Sequence, residues 1–377
     1  RLYLNDGTGQ FTAAPDRLPP IESSGGAVAA HDYDGDGDVD LFVGGRVRAV
    51  DYPLAPRSYL LENKGGRYED VTAQAADALQ RPGMVTDARW VDLVGDGAQE
   101  LMIAGEWMPI RVFQQNGTGG FAEVTDQLGL SRSNGWWNRL GIADFDGDGD
   151  LDVMAGNRGE NMRIDAHPEA PASMYAGDFD RDGRVEPIMS HYVDGTERPA
   201  PRRDRLVDEL SLLQARFPTY ASYAEATMDE VLTQEQWEQA QRFVAYTFTT
   251  SLFEQQEDGT FRRHPLPIEA QFSPTRGVVI RDLNGDDRPD VFLAGNDFTV
   301  RMPWGPSDAG KGVLLLNQGG LDFKAMRSAE SGFLAPGDVR SLLAVATSDG
   351  PLLLVGNNNG PLGVFRIPPG DQPLAAR

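Results

Sequence analysis

The feature that most limits what this chain can fold into is a segment that recurs along it. Each copy is a short apolar strand, an acidic loop, and a second apolar strand ending in Gly. The acidic loops start at residues 32, 92, 144, 178 and 282. A degenerate copy at residues 342–356 keeps both strands but has only Ser348-Asp349-Gly350 between them. A turn and an aromatic strand recur as well, as in Asn63-Lys64-Gly65-Gly66-Arg67-Tyr68, Asn116-Gly117-Thr118-Gly119-Gly120-Phe121 and Asp258-Gly259-Thr260-Phe261. Asn-Gly and Gly-Gly supply the positive φ that tight hairpins demand. Each unit therefore reads as about four short antiparallel strands, and such units in radial array are propeller blades. The expected fold is all-β: a β-propeller of six or seven four-stranded blades with a helical insertion. The N-terminal strands at 2–4 and 11–13 read as the outer half of a blade whose inner half comes from the last unit, closing the ring without exposed edges.

The gap between the fourth and fifth loops carries helical spacing. Leu206, Leu210 and Leu213 fall on one face, and Thr233 with Gln236 forms a capping-box pattern ahead of Trp237, Ala240, Phe243 and Val244. The expected organisation is a propeller in two parts, residues 1–201 and 256–377, with residues 202–255 as a helical insertion in the fourth blade. Strand-like residues 248–252 and the turn after them are read as the return to that blade. The chain starts inside a repeat, so a longer polypeptide is expected.

Oxygen chemistry explains the loops. In the pattern Asp-x-Asp-x-Asp-Gly-x-x-Asp, side-chain oxygens stand at positions 1, 3, 5 and 9 and position 7 offers its carbonyl, a hard set that suits calcium. The first loop places Asp32, Asp34, Asp36, Asp38 and Asp40 at the odd positions, and the third places Asp144, Asp146, Asp148, Asp150 and Asp152. The fourth has Asp178, Asp180, Asp182, Arg184 and Glu186; the fifth has Asp282, the neutral Asn284, Asp286, Arg288 and Asp290. The second loop, residues 92–100, has Val94 at position 3 and Glu100 at position 9, which makes it a doubtful fifth site beside about four calcium sites. An EF-hand would need a bidentate Glu at position 12, where this chain has Val43, Ile103, Ala155, Met189 and Leu293.

Composition narrows the partners. The net charge of −23, from 57 Asp and Glu against 34 Lys and Arg, repels nucleic-acid phosphates and anionic lipid heads. Cys is absent, which excludes disulfides and thiolate metal sites. No run approaches the roughly 20 apolar residues of a membrane-spanning helix.

The acidic loops and the Asn-x-Gly-x-Gly-x-Phe turns resemble the FG-GAP/VCBS repeat family, which includes the integrin α-subunit propeller. Residues 206–224 further resemble bacterial VCBS-repeat surface proteins related to the cartilage acidic protein group. The resemblance implies a calcium-binding module at an extracellular, cell-surface or periplasmic location, serving recognition, adhesion or scaffolding. In the integrin-like arrangement the connections after each second strand lie on the face opposite the calcium loops. That brings Arg46, Glu106 and Trp107, Asn157 and Arg158, His191, Asn296 and Asp297, and Asn357 to one rim, joined by Trp136 and Trp137. Amides, Arg and aromatics suit a glycan or protein ligand. Two other classes stay open: a polysaccharide lyase or hydrolase using Glu106, His191 and Asp297, and a purely structural subunit of a cell-surface assembly. No nucleophile elbow, phosphate loop or zinc motif is present.

Overall fold

A computed structural model describes residues 1–48, 50–117, 119–299 and 305–367. These residues are mostly β, arranged in many small antiparallel sheets. The first sheet holds Ser24–His31, Asp40–Val47, Tyr59–Asn63 and Tyr68–Asp70. The second holds Met84–Val91, Glu100–Met108, Arg111–Gln115 and Phe121–Glu123, with Gly135–Trp136 added along Glu100–Met108. The third holds Arg139–Ala143, Asp152–Gly156, Ser251–Gln255 and Phe261–Pro265. The fifth holds Gly277–Arg281, Asp290–Ala294, Val313–Asn317 and Phe323–Met326, and the sixth Val339–Val345, Leu352–Asn357 and Gly363–Arg366.

The second strand of each of the second, third and fifth sheets is buried almost throughout. Being covered on both faces, these strands are continuous apolar runs rather than alternating ones. Successive sheets share apolar layers: Phe42 and Leu60 meet Val85 and Phe113, and further along Phe145 and Met154 meet Val291 and Leu315. Their first strands pack side by side in the order first, second, third, fifth, sixth sheet. Glycine permits this approach: a Cβ on Gly44 would lie 2.6 Å from a Val85 methyl.

The fourth sheet stands apart from that series. It pairs Ala172–Gly177 with Glu186–Val193 on one side and Gln241–Ala245 on the other, and Thr196–Pro199 extends it. Five short helices between Arg203 and Gln239 connect Thr196–Pro199 to Gln241–Ala245. Leu206, Leu210 and Leu213 pack on Tyr175, Phe179 and Ile188 of that sheet and its loop. The helices thus sit within the fourth unit, but the strand Gln241–Ala245 falls inside the stretch read as helical, while Ser251–Gln255 overlaps the residues 248–252 read as strand-like. Phe243 and Val244 prefer pairing along Ala172–Gly177 to extending a helix that already ends at Gln239. The return also differs from expectation: Ser251–Gln255 rejoins the third sheet, so residues 157–250, fourth sheet included, lie between that sheet's second and third strands.

The N-terminal strands Tyr3–Asn5 and Phe11–Ala13 pair only with each other among the described residues and do not extend the sixth sheet. Both are exposed along their whole length and offer no apolar face to bury. The last ten residues of the expected C-terminal part lie outside the described residues, as do residues 300–304 and Thr118 of the turn from Asn116 to Phe121.

Candidate functional site

The five acidic loops join first to second strands and share one hydrogen-bond frame. The position 9 carboxylate accepts from the position 2 backbone N–H in every loop: Asp40 from Tyr33, Glu100 from Leu93, Asp152 from Phe145, Glu186 from Phe179 and Asp290 from Leu283, at 2.7–3.2 Å. The position 1 carboxylate accepts from the position 6 N–H at 2.9–3.0 Å throughout. Position 6 has positive φ each time, 94° at Gly37, 100° at Gly149 and 63° at Asp287, which is why Gly dominates there. Backbone donors thus turn the carboxylates inward along each loop.

Side-chain oxygens of Asp32, Asp34 and Asp36 lie within 4.8 Å of one another, as do those of Asp144, Asp146 and Asp152, and those of Asp178, Asp180, Asp182 and Glu186. These clusters could hold a metal ion. Asp40 lies outside the first group; its two oxygens accept from the Tyr33 and Asn63 backbone N–H groups. In the fifth loop Asn284 turns its amide nitrogen onto Asp286 at 3.1 Å. In the second, Val94 is exposed and supplies no oxygen.

Two observations test the fit of a cation. Burial, opposed by backbone hydrogen bonds, pushes Asp152 from near 3.8 to about 6, and burial also raises Asp40, Glu100, Glu186 and Asp290. Asp178 Oδ1 is buried and has no donor. Converging carboxylates with raised pKa values and an orphaned oxygen fit a hard divalent ion. The position 7 carbonyls of Asp38, Asp150, Arg184 and Arg288 complete the oxygen set by sequence position.

The opposite ends of the strands form a cavity of about 430 Å³ lined by Tyr52, Glu106, Trp136, Arg158, Met162, Arg276 and Asp297, among others. Of the residues expected at one rim, the structure brings Glu106, Trp136, Arg158 and Asp297 together here, with Arg46 bonded to Glu106. Asp297 binds Arg276 at 2.9 Å. Burial alone would raise its pKa, but the Thr299 hydrogen bonds and the Arg276 and Arg340 charges hold it below the usual carboxylate range. Trp136 stands edge-on to Trp107 and Phe248.

Four expected rim residues are instead buried. Trp137 is 0% exposed, packs edge-on to Phe253 and donates to the Ser133 carbonyl. Asn157 is spent on the Thr247 and Thr249 carbonyls and the Trp136 and Arg158 backbone N–H groups. Asn296 ties Gly310, Pro336 and Gly337. Trp107 is buried at φ 61° and donates to the Tyr52 hydroxyl. His191 and Asn357 do not line the cavity; Asn357 donates to the Pro361 carbonyl. Sequence reasoning missed Tyr52, Met162, Arg276 and, beside Asp297, Arg340. Arg139, Arg276 and Arg340 stand at the entry to the first strand of three sheets that pack in series, and that repetition was the available signal.

Comparison with known proteins places a repeat in this frame. Residues 1–43 and 92–155 match the FG-GAP-like repeat, so the first three acidic loops carry that motif in whole or part. No curated protein matches the chain. Similar solved structures include Sqt1 from Chaetomium thermophilum, at 13% identity and TM-score 0.38, covering 96% of this chain and 72% of that one. The V. cholerae biofilm matrix protein Bap1 is similar at 11% identity and TM-score 0.31, covering 93% and 78%. Among the described residues, no helix is long and apolar enough to cross a membrane.

Proposed function

We propose that this chain is a calcium-stabilised β-propeller that serves outside the cell as a recognition, adhesion or scaffold module for a glycan or protein ligand. In this reading residues 1–156 and 251–367 build the propeller, and residues 157–250 form one unit inserted in its third blade. Asp32, Asp34, Asp36, Asp144, Asp146, Asp152, Asp178, Asp180, Asp182 and Glu186 hold calcium in three loops. Asp282, Asn284, Asp286 and Asp290 hold it more weakly in a fourth, where one oxygen is neutral. Calcium suits the loops better than magnesium, which keeps its waters and demands octahedral geometry. Extracellular modules bind calcium at roughly 10⁻⁴–10⁻³ M, which matches loops this open to solvent.

The observation that carries the reading is the repeated frame of backbone donors, which aims carboxylates inward in loop after loop. The ligand is assigned to the opposite face, where the cavity lies. Its two carboxylates are engaged by Arg46 and Arg276, which favours binding over acid–base chemistry. The test is incubation of the calcium-loaded protein with a polysaccharide panel, scored for retention and for new reducing or unsaturated ends. Retention without cleavage is expected; cleavage would contradict the reading and make Glu106 and Asp297 the residues to test.

A further inference from the structure

We propose that the cavity opposite the acidic loops binds the carboxylate of an acidic sugar, with Arg158 and Arg276 reading its charge. The inference rests on the glycan-recognition reading and narrows it.

Arg158 carries the argument. Arg158 lines the cavity, yet its guanidinium makes no hydrogen bond and no ion pair among the described residues, and its Nη1 is buried. Burial weakens its hold on the proton, and Arg276 adds repulsion that Asp297 and Glu106 oppose. The neighbouring carboxylates are already taken. Glu106 is held by Arg46, and Asp297 by Arg276 at 2.9 Å with Arg340 at 3.6 Å. A buried guanidinium without an acceptor leaves the desolvation of its donors uncompensated.

Two further donors on the lining are in the same condition. Trp136 Nε1 and Arg276 Nε are both buried without an acceptor. Among the described residues, the three buried side-chain atoms of the lining that lack a partner are all donors. Buried donors without acceptors, beside a guanidinium that no carboxylate contacts directly, call for a partner that accepts and carries negative charge. An ionised carboxylate fits, with two oxygens and about four lone-pair sites.

The rest of the wall suits a sugar ring. Trp136, held edge-on by Trp107 and Phe248, offers a fixed indole, and Tyr52 and Met162 add apolar surface. At about 430 Å³ the cavity is at the small end of ligand pockets. The chain's net charge of −23 repels a long polyanion, so a monosaccharide or an acidic chain end is the better occupant.

The test is calorimetric titration of the calcium-loaded full chain with glucuronate, glucose and inorganic sulfate, repeated with Arg158→Met and Arg276→Met, each checked by thermal melting. Glucuronate is expected to bind at least about tenfold more tightly than glucose, and each variant to lose about tenfold or more for glucuronate. Arg158→Met should melt no lower than the parent, because it removes a buried cation that holds nothing. Sulfate binding lost in both variants, with both sugars inert, supports the anion site but overturns the sugar. Equal affinity for glucose and glucuronate, or full glucuronate affinity in folded Arg158→Met, overturns the inference. If none of the three binds while the polysaccharide panel still retains the protein, the inference fails and recognition stands; if the panel retains nothing either, both fail.

Discussion

The side-chain amide of Asn317 donates to the backbone carbonyl of Phe145 at 2.7 Å, across 172 residues of chain. Asn317 ends the third strand of the fifth sheet, and Phe145 is the second residue of the acidic loop in the third. The link repeats: Gln255 reaches the Leu93 carbonyl at 3.0 Å, and Gln115 reaches that of Tyr33. The acidic loops of the first, second and third sheets are thereby tied to the next sheet in the series, so a metal held in one of them would act on sheet packing. Asn317→Leu leaves the Phe145 carbonyl unpaired in a buried place and should cost about 2–3 kcal/mol. The chemical denaturation midpoint reads this, and an unchanged midpoint would refute the coupling.

The loops should differ in metal binding in the order of their oxygens. Asp146→Ala removes an acid from the third loop's cluster and should lower the calcium stoichiometry by one. Asp96→Ala alters the second loop, where Val94 already breaks the set, and should leave the stoichiometry unchanged. Equilibrium dialysis distinguishes the two; equal losses would show that the second loop binds as well.

Chelated protein should respond to pH in the direction opposite to most acidic proteins. Burial raises Asp152 from near 3.8 to about 6, so across that window the folded state keeps a proton that the unfolded chain releases. This contribution is full below pH 4 and lost as pH rises through 6. Chelated protein should therefore melt higher at pH 5 than at pH 7. With calcium the order should reverse, because protons then compete with the metal. Calorimetry at both pH values checks the sign.

Backbone conformation and crowding should separate at two glycines. Gly149 has φ 100° and no neighbour within 4 Å of an added Cβ, so Gly149→Ala should cost about 1–2 kcal/mol from strain alone. Gly295 has ordinary φ, but its Cβ would fall 1.7 Å from the Pro274 carbonyl oxygen. Gly295→Ala should be the more destabilising of the two in urea titration, and the reverse order would contradict the packing.

The acidic loops were legible because everything that shapes them lies within nine residues: the alternating acids, the glycine at positive φ and the flanking apolar runs. The path of the chain was not. Ser251–Gln255 pairs with Asp152–Gly156 across the whole inserted unit, and no local pattern marks which earlier strand a late one will choose. The two tryptophans show the same limit at short range. Trp136 lines the cavity while Trp137 is sealed in the core, since successive side chains in extended backbone point to opposite faces. Arg276 and Arg340 gain meaning only when strands far apart in sequence come side by side.

The most direct test of the central claim is the melting temperature of the full chain in calcium and after chelation. In the proposed reading, removing calcium leaves the carboxylates clustered in three loops facing one another, which the tied sheets cannot relieve by opening locally. The account predicts a fall of several degrees or more, reversed by adding calcium back and not by an equal concentration of magnesium. A melting temperature unchanged by chelator would contradict it.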